Sequence, residues 1–248
     1  MSSEETRVLQ WLPAQGRPEQ LMLLFHGVGD SAQGMAGLAS GLRRAFPQAA
    51  VMAADGFEPF DGDPSGALGG RQWFSRNGVD DGNRAQRVRQ VLPKLGAWVR
   101  GAQQATGVGP AATALVGFSQ GAICVLELAQ AEDGLAGRVL AFAGRYASLP
   151  ERALQHTTLH FFHGADDAVI PADHARAAMQ RVADLQGDAT IDIAQGVGHE
   201  LPAALLQCAI DRLRTHIPHR TWAAALGAVP SLSERLAARA ESEPDAED

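Results

Sequence analysis

An α/β fold with a mainly parallel central sheet and helices on both of its faces is predicted for this chain by three observations. Short apolar runs alternate with longer stretches of helical period along most of its 248 residues, the pattern of repeated strand–helix–strand units. The runs Leu21-Met22-Leu23-Leu24-Phe25 and Leu159-His160-Phe161-Phe162 are apolar on both faces, as central parallel strands should be. Hydrophobic content of 46% against 20% charged residues is the balance of a globular domain with a sizeable core.

Strands are expected at 6–12, 20–26, 49–54, 112–117, 137–143, 157–163 and 189–195, segments of strand length set between the helical stretches. Between them, helices are expected at 31–45, 80–105, 120–131, 171–186 and 200–216. Asp30 and Gln33 have capping-box spacing and would start the first helix. The helix at 80–105 has the clearest period, with Val88, Val91, Leu92, Leu95, Val99 and Ala102 at three- and four-residue steps, and Pro93 should bend it. Residues 55–82 interrupt the pattern with seven glycines and two prolines in 28 positions, so a long lid-like loop is expected there. That loop holds Phe57, Phe60, Trp73 and Phe74. Either they line a binding site or they pin the loop to the body.

After Ile217-Pro218 the composition changes. The expected organisation is a catalytic domain over 1–218 and a helical extension over 219–240, with Trp222, Leu226 and Val229 before Pro230 and Leu232 and Leu236 after it. An acidic, disordered tail is expected over 241–248. The net charge is −7, but five acids fall in that tail, leaving about −2 over residues 1–240. A body so near neutrality lacks the positive field that nucleic-acid binding requires. No apolar run approaches the roughly 20 residues of a membrane span, and the acidic N-terminus is unlike a secretory signal, so a cytoplasmic protein is expected. Cys124 and Cys208 are too few for a disulfide framework or thiolate metal site and read as buried free thiols.

The chemistry sits in Gly117-Phe118-Ser119-Gln120-Gly121, between the apolar strand Ala112–Val116 and the helical run Ala122–Ala129. A strand, a sharp turn and a helix form the nucleophile elbow of α/β-hydrolases, with glycines where the two backbones would otherwise collide. A serine hydroxyl needs a histidine base and an acid to orient that base, and in this fold they follow in the order acid, then histidine. His163-Gly164-Ala165-Asp166-Asp167 and Gly196-Val197-Gly198-His199 each follow an expected strand. Asp167 is assigned as the acid, with Asp166 the second choice, and His199 as the base. An oxyanion also needs two backbone N–H donors. Gln120 supplies one, and Val28, in Phe25-His26-Gly27-Val28-Gly29-Asp30, supplies the other.

Competing readings are weaker. Gly27-Val28-Gly29 with Ala32 resembles a dinucleotide-binding turn, but Phe46-Pro47 stands where the ribose-binding acid belongs. His160, His163, Asp166, Asp167, Asp173 and His174 crowd one stretch, yet strand alternation sends His160 and His163 to opposite faces, against a shared metal. His26 and His163 read as structural, and His174 as a surface residue. No cofactor or metal is expected.

Together, Leu24-Phe25-His26-Gly27-Val28-Gly29-Asp30, Gln72-Trp73-Phe74, Gly117-Phe118-Ser119-Gln120-Gly121, His163-Gly164 with Asp167, and Gly198-His199 resemble the phospholipase/carboxylesterase family, which includes acyl-protein thioesterases. The resemblance spans about residues 20–216. It implies cofactor-free hydrolysis of carboxylic esters or thioesters by Ser119, Asp167 and His199, with Val28 and Gln120 as oxyanion donors and Trp73 near the acyl pocket. The expected partner is therefore a small acyl ester or thioester, and the expected state a monomer or homodimer. The alternative is a non-catalytic module on the same scaffold that binds a ligand or partner through the aromatic loop and C-terminal segment.

Overall fold

The computed structural model describes residues 6–63 and 68–227. The expectations for Val229, Leu232, Leu236 and the acidic end lie outside these residues. The chain divides into two compact units, Met1–Thr215 and His216–Asp248. In the second, the described residues form one helix, α6 (His219–Gly227), whose first turn is closed by the N–H groups of Thr221 and Trp222 on Pro218 O.

The first unit is built on seven strands: β1 (Val8–Trp11), β2 (Gln20–Phe25), β3 (Ala49–Ala54), β6 (Thr113–Phe118), β7 (Arg138–Phe142), β8 (Thr158–Gly164) and β9 (Ala189–Ala194). All seven were expected. Their order in the sheet is β1-β3-β2-β6-β7-β8-β9, with β1 antiparallel and the other neighbours parallel. Among the described residues five helices serve the sheet: α1 (Ala36–Ala45), α2 (Arg84–Thr106), α3 (Gln120–Ala131), α4 (Asp173–Asp184) and α5 (Ala203–Thr215).

Strand alternation sorts the core into two layers. Leu21, Leu23 and Phe25 of β2, Leu115 of β6, Val139 of β7 and Phe161 of β8 face α2, α3 and α4. Met22, Leu24, Val116, Leu140, Phe142 and Phe162 face α1 and α5. Consecutive apolar residues are needed because both faces are covered, which is why these strands were readable as unbroken runs. Cys124 is buried and Cys208 half-buried, and both are free thiols. Among the described residues no helix is long and apolar enough to cross a membrane.

The chain leaves β2 toward β3 on one side and returns to place β6 on the other. The strand order therefore reverses between β2 and β6, and a crevice opens at their carboxyl ends, where ligands bind in open α/β sheets. Register pairs Phe25 with Gly117, so His26-Gly27-Val28 and Phe118-Ser119 run on side by side into that crevice.

Three local expectations need correction. The Asp30–Gln33 capping box does not form, because Asp30 donates its N–H to Gly27 O at 3.2 Å and so cannot offer it to Gln33. Asp55 replaces it from the end of β3, accepting the Ala32 N–H at 2.7 Å, and the helix opens with a tight turn over Ala32–Met35. Second, α2 starts at Arg84 rather than 80. The residues before it form a closed turn in which Asp80 Oδ1 accepts the Asn83 N–H at 2.9 Å and Asn83 Oδ1 accepts the Asp80 N–H at 3.1 Å. Third, residues 55–82 contain a minimal antiparallel pair, β4 (Glu58–Pro59) and β5 (Arg71–Gln72). Arg71 also ties this segment to the loop after β2, accepting the Gly29 N–H and donating its own N–H to Asp30 O, both at 2.8 Å.

Candidate active site

The turn between β6 and α3 is sharp because Ser119 adopts φ 52°, ψ −114°, a sparsely populated region that costs a non-glycine residue on the order of 1–3 kcal/mol. The surrounding glycines make it possible. A Cβ on Gly117 would stand 2.5 Å from the Ala122 backbone, and one on Gly121 would stand 2.1 Å from Phe25 O. Gly27 is less tightly packed, with its Cβ position 3.0 Å from Phe118 Cδ1 and 3.3 Å from Ser119 Cβ. The strain lifts Ser119 out of the helix it precedes and into the crevice.

Two loops bring the partners. His199, after β9, places Nε2 2.9 Å from Ser119 Oγ and Nδ1 2.7 Å from Asp167 Oδ2. A carboxylate only accepts, so Nδ1 carries the proton and the bare Nε2 faces the serine hydroxyl. Asp167, after β8, is buried, with its side chain 0% exposed. Its Oδ1 accepts the N–H groups of Val169 and Ile170 at 2.9 Å each. Burial pushes the Asp167 pKa up, but the hydrogen bonds from His199, Ile170 and Val169 outweigh it and hold the carboxyl below its ordinary value. Asp166, the second choice, is exposed. Gly164 makes the turn possible, since a Cβ there would sit 2.2 Å from Val197 O.

Two other histidines support the site. His163 Nε2 lies 2.7 Å from Ile170 O and 3.3 Å from Asp167 Oδ2, both acceptors, so this nitrogen carries a proton and braces the loop that holds Asp167. His26 Nε2 accepts the Gly56 N–H at 2.7 Å, which leaves the proton on Nδ1 for Gly27 O at 2.6 Å. Burial is the main cause that lowers the pKa of both rings.

Gln120 has a second attachment. Its side chain accepts the Trp73 N–H through Oε1 and donates through Nε2 to Phe74 O, both at 2.8 Å. This clamp fastens the 55–82 segment to the start of α3. The first N–H groups of a helix have no intrahelical acceptor, so Gln120 N–H stands clear of the α3 ladder at the edge of the crevice.

A cleft of 360 Å³ opens over Ser119. Val28, Gln120 and His199 line it, and Phe118 packs on the His199 ring with centroids 5.1 Å apart. Of the four loop aromatics, only Phe74 reaches the lining. Trp73 is 1% exposed. It packs on Phe25, His26 and Phe57 and donates Nε1–H to His26 O at 2.9 Å, so it stands behind the Val28 loop rather than in the pocket. Phe57 packs on the core beneath Lys94, and Phe60 covers Gly29. For Trp73 and Phe57 the pinning role fits, because their rings pack on the core, while the half-buried Phe60 lies against the Gly29 turn. The apolar wall comes instead from Phe74, Val79, Phe118, Ile123 and Ile170, and the polar wall from Arg76, Arg84, Arg145 and His174. The polar wall was not foreseen, and His174 is half-buried in it rather than on the open surface.

A serine oxygen hydrogen-bonded to a histidine that is itself oriented by a buried carboxylate can attack an acyl carbon. The model of the phospholipase/carboxylesterase family matches residues 12–217. Esterase YpfH of Escherichia coli (strain K12) is 47% identical over 208 residues, covering 84% of this chain and 88% of that protein. Acyl-protein thioesterase 1 of Eremothecium gossypii is 28% identical, covering 83% and 92%. Among solved structures, esterase PE8 superposes with a TM-score of 0.74 at 27% identity, covering 86% of this chain and 99% of that one. A Bacillus cereus carboxylesterase superposes with a TM-score of 0.71 at 14% identity, over 86% and 96%, and so shares the fold.

Proposed function

The chain belongs to the phospholipase/carboxylesterase family, and from that premise we propose that it is a serine hydrolase that cleaves carboxylic esters through an acyl-enzyme on Ser119. The observation that carries the reading is His199, held by Asp167 on one nitrogen at 2.7 Å and facing Ser119 Oγ with the other at 2.9 Å. In the first half-reaction His199 Nε2 takes the hydroxyl proton as Oγ bonds to the acyl carbon. Negative charge then gathers on the former carbonyl oxygen, and the N–H groups of Val28 and Gln120 are the donors proposed to receive it. Collapse of the intermediate expels the alkoxide, protonated by His199. Water, activated by the same nitrogen, then releases the acid and restores Ser119.

Asp167 serves this cycle in two ways. It keeps the imidazole in the tautomer that can accept, and its buried charge stabilises the imidazolium formed at each proton transfer. Thioesters enter the same cycle with a thiolate as leaving group, as the thioesterase relative suggests. Purified protein should hydrolyse p-nitrophenyl butyrate, and Ser119→Ala should abolish nearly all of that turnover. A folded S119A protein that keeps its activity would sink the assignment. A panel of acyl chains from acetyl to palmitoyl, each as oxygen ester and thioester, then defines the substrate range.

A further inference from the structure

The cleft over Ser119 carries more positive charge than acyl transfer requires. Among the described residues Arg76, Arg84 and Arg145 line it against a single lining carboxylate, Asp30, which already accepts the Ser31 N–H at 2.7 Å. Arg145 is built into the site. The neighbouring Gly144 packs so tightly on the start of α3 that a Cβ there would stand 2.3 Å from Ala122 Cβ. Nη1 of Arg145 donates to His174 Nε2 at 3.2 Å, so His174 holds the guanidinium as a neutral acceptor without cancelling its charge. Burial first, and then the Arg145 charge, lower the His174 pKa.

The remaining face of the pair shows what it holds. Arg145 Nη2 donates to Asp81 Oδ1 at 2.9 Å, and Arg84 Nη1 donates to that same oxygen. The two arginine side chains are only 19% and 20% exposed, whereas that of Asp81 is 83% exposed. A carboxylate thus comes from the solvent side, on the closed Asp80–Asn83 turn, to two half-buried guanidiniums in the wall of the cleft. So exposed an ion pair holds its anion weakly.

We propose that Arg145 and Arg84 recognise a carboxylate carried by the substrate, with Asp81 as an exchangeable internal occupant of the same place. The preferred esters then bear a negative charge near the scissile acyl group. This rests on Ser119 being the nucleophile of the cleft. The positive wall would also draw anionic esters in from solution.

The test compares kcat/KM for two matched pairs of esters. Charge on the acyl side is read from the p-nitrophenyl monoester of glutaric acid against p-nitrophenyl hexanoate. Charge on the alcohol side is read from 3-butyryloxybenzoate against phenyl butyrate. The expected result is a preference of roughly 10- to 100-fold for the anionic member of one pair, the range of charge-assisted hydrogen bonds, and the pair that shows it identifies which side of the ester the arginines face. Arg145→Met and Arg84→Met should each lower the anionic-to-neutral ratio about tenfold, and Asp81→Asn should raise it through a lower KM for the anion. Neutral esters turned over with no anionic preference in either pair would overturn the proposal and leave the nucleophile assignment intact. So would a ratio that Asp81→Asn leaves unchanged or lowers, because Asp81 would then serve only to pin the turn. Failure to hydrolyse any of the four esters would overturn the reading of Ser119 itself.

Discussion

Replacing Asp167 by asparagine exchanges one oxygen for an NH2 group with almost no change of shape, and the consequence follows from the hydrogen bonds. Oδ1 accepts the N–H groups of Val169 and Ile170 at 2.9 Å each, so the remaining amide oxygen stays there and the NH2 turns toward His199. The NH2 only donates. His199 Nδ1 must then accept, and its proton moves to Nε2, 2.9 Å from Ser119 Oγ. The imidazole would offer the serine a proton where it has to take one. His163 adds to the mismatch, since its protonated Nε2 is 3.3 Å from the oxygen that becomes NH2. An inverted tautomer of this kind costs about 10⁴ in kcat in serine proteases, equivalent to about 5.5 kcal/mol at 1.36 kcal/mol per tenfold. The assay is initial-rate hydrolysis of p-nitrophenyl acetate, with circular dichroism to verify the fold. Asp166→Asn is the control, because that carboxylate is exposed. A folded D167N protein within about tenfold of the wild-type rate would refute the assignment of the acid, as would an Asp166→Asn loss of equal size.

Two further predictions concern stability. Gln120→Ala keeps the backbone N–H but leaves the buried Trp73 N–H and Phe74 C=O without their partner. Roughly 2–4 kcal/mol should be lost, lowering Tm by on the order of 10 °C for a unit of this size, and an unchanged melting curve contradicts the clamp. The second follows from His26 and His163, whose pKa values burial lowers from 6.5. As pH falls below about 6.5 the unfolded chain binds protons that the folded state refuses, so stability is full above that value and drains away on acidification. Asp167, lowered from 3.8, adds its loss only in a more acidic window. Urea midpoints at pH 7.5, 6.5 and 5.5 should fall in that order, and His26→Gln should flatten the trend. A midpoint that rises on acidification contradicts it.

The sheet was legible because its interior strands are covered on both faces, so that Leu21–Phe25 had to be an unbroken apolar run and Leu159–Phe162 is interrupted only by the buried His160. Ser119, Asp167 and His199 were legible for another reason. Each follows a strand, and the steric demands of the elbow put glycine at 117 and 121. The pairing of β4 with β5 escaped notice, since two residues per strand, one of them Pro59, show no period. The orientation of Trp73 was equally hidden. Composition showed aromatics in a loop, but only the Gln120 clamp and the bond to His26 O decide that the indole faces inward. The arginine wall was the least visible feature, because Arg76, Arg84 and Arg145 come from separate segments that only the tertiary fold brings to one cleft.

The central claim is that Ser119 is the nucleophile, and covalent labelling tests it most directly. The protein is treated with a fluorophosphonate, weighed intact, and digested to locate the adduct. One adduct is predicted, on the serine of Gly117-Phe118-Ser119-Gln120-Gly121, with labelling much slower in His199→Ala. An adduct on any other serine, or a folded and esterolytic protein that takes up no label, would contradict the account.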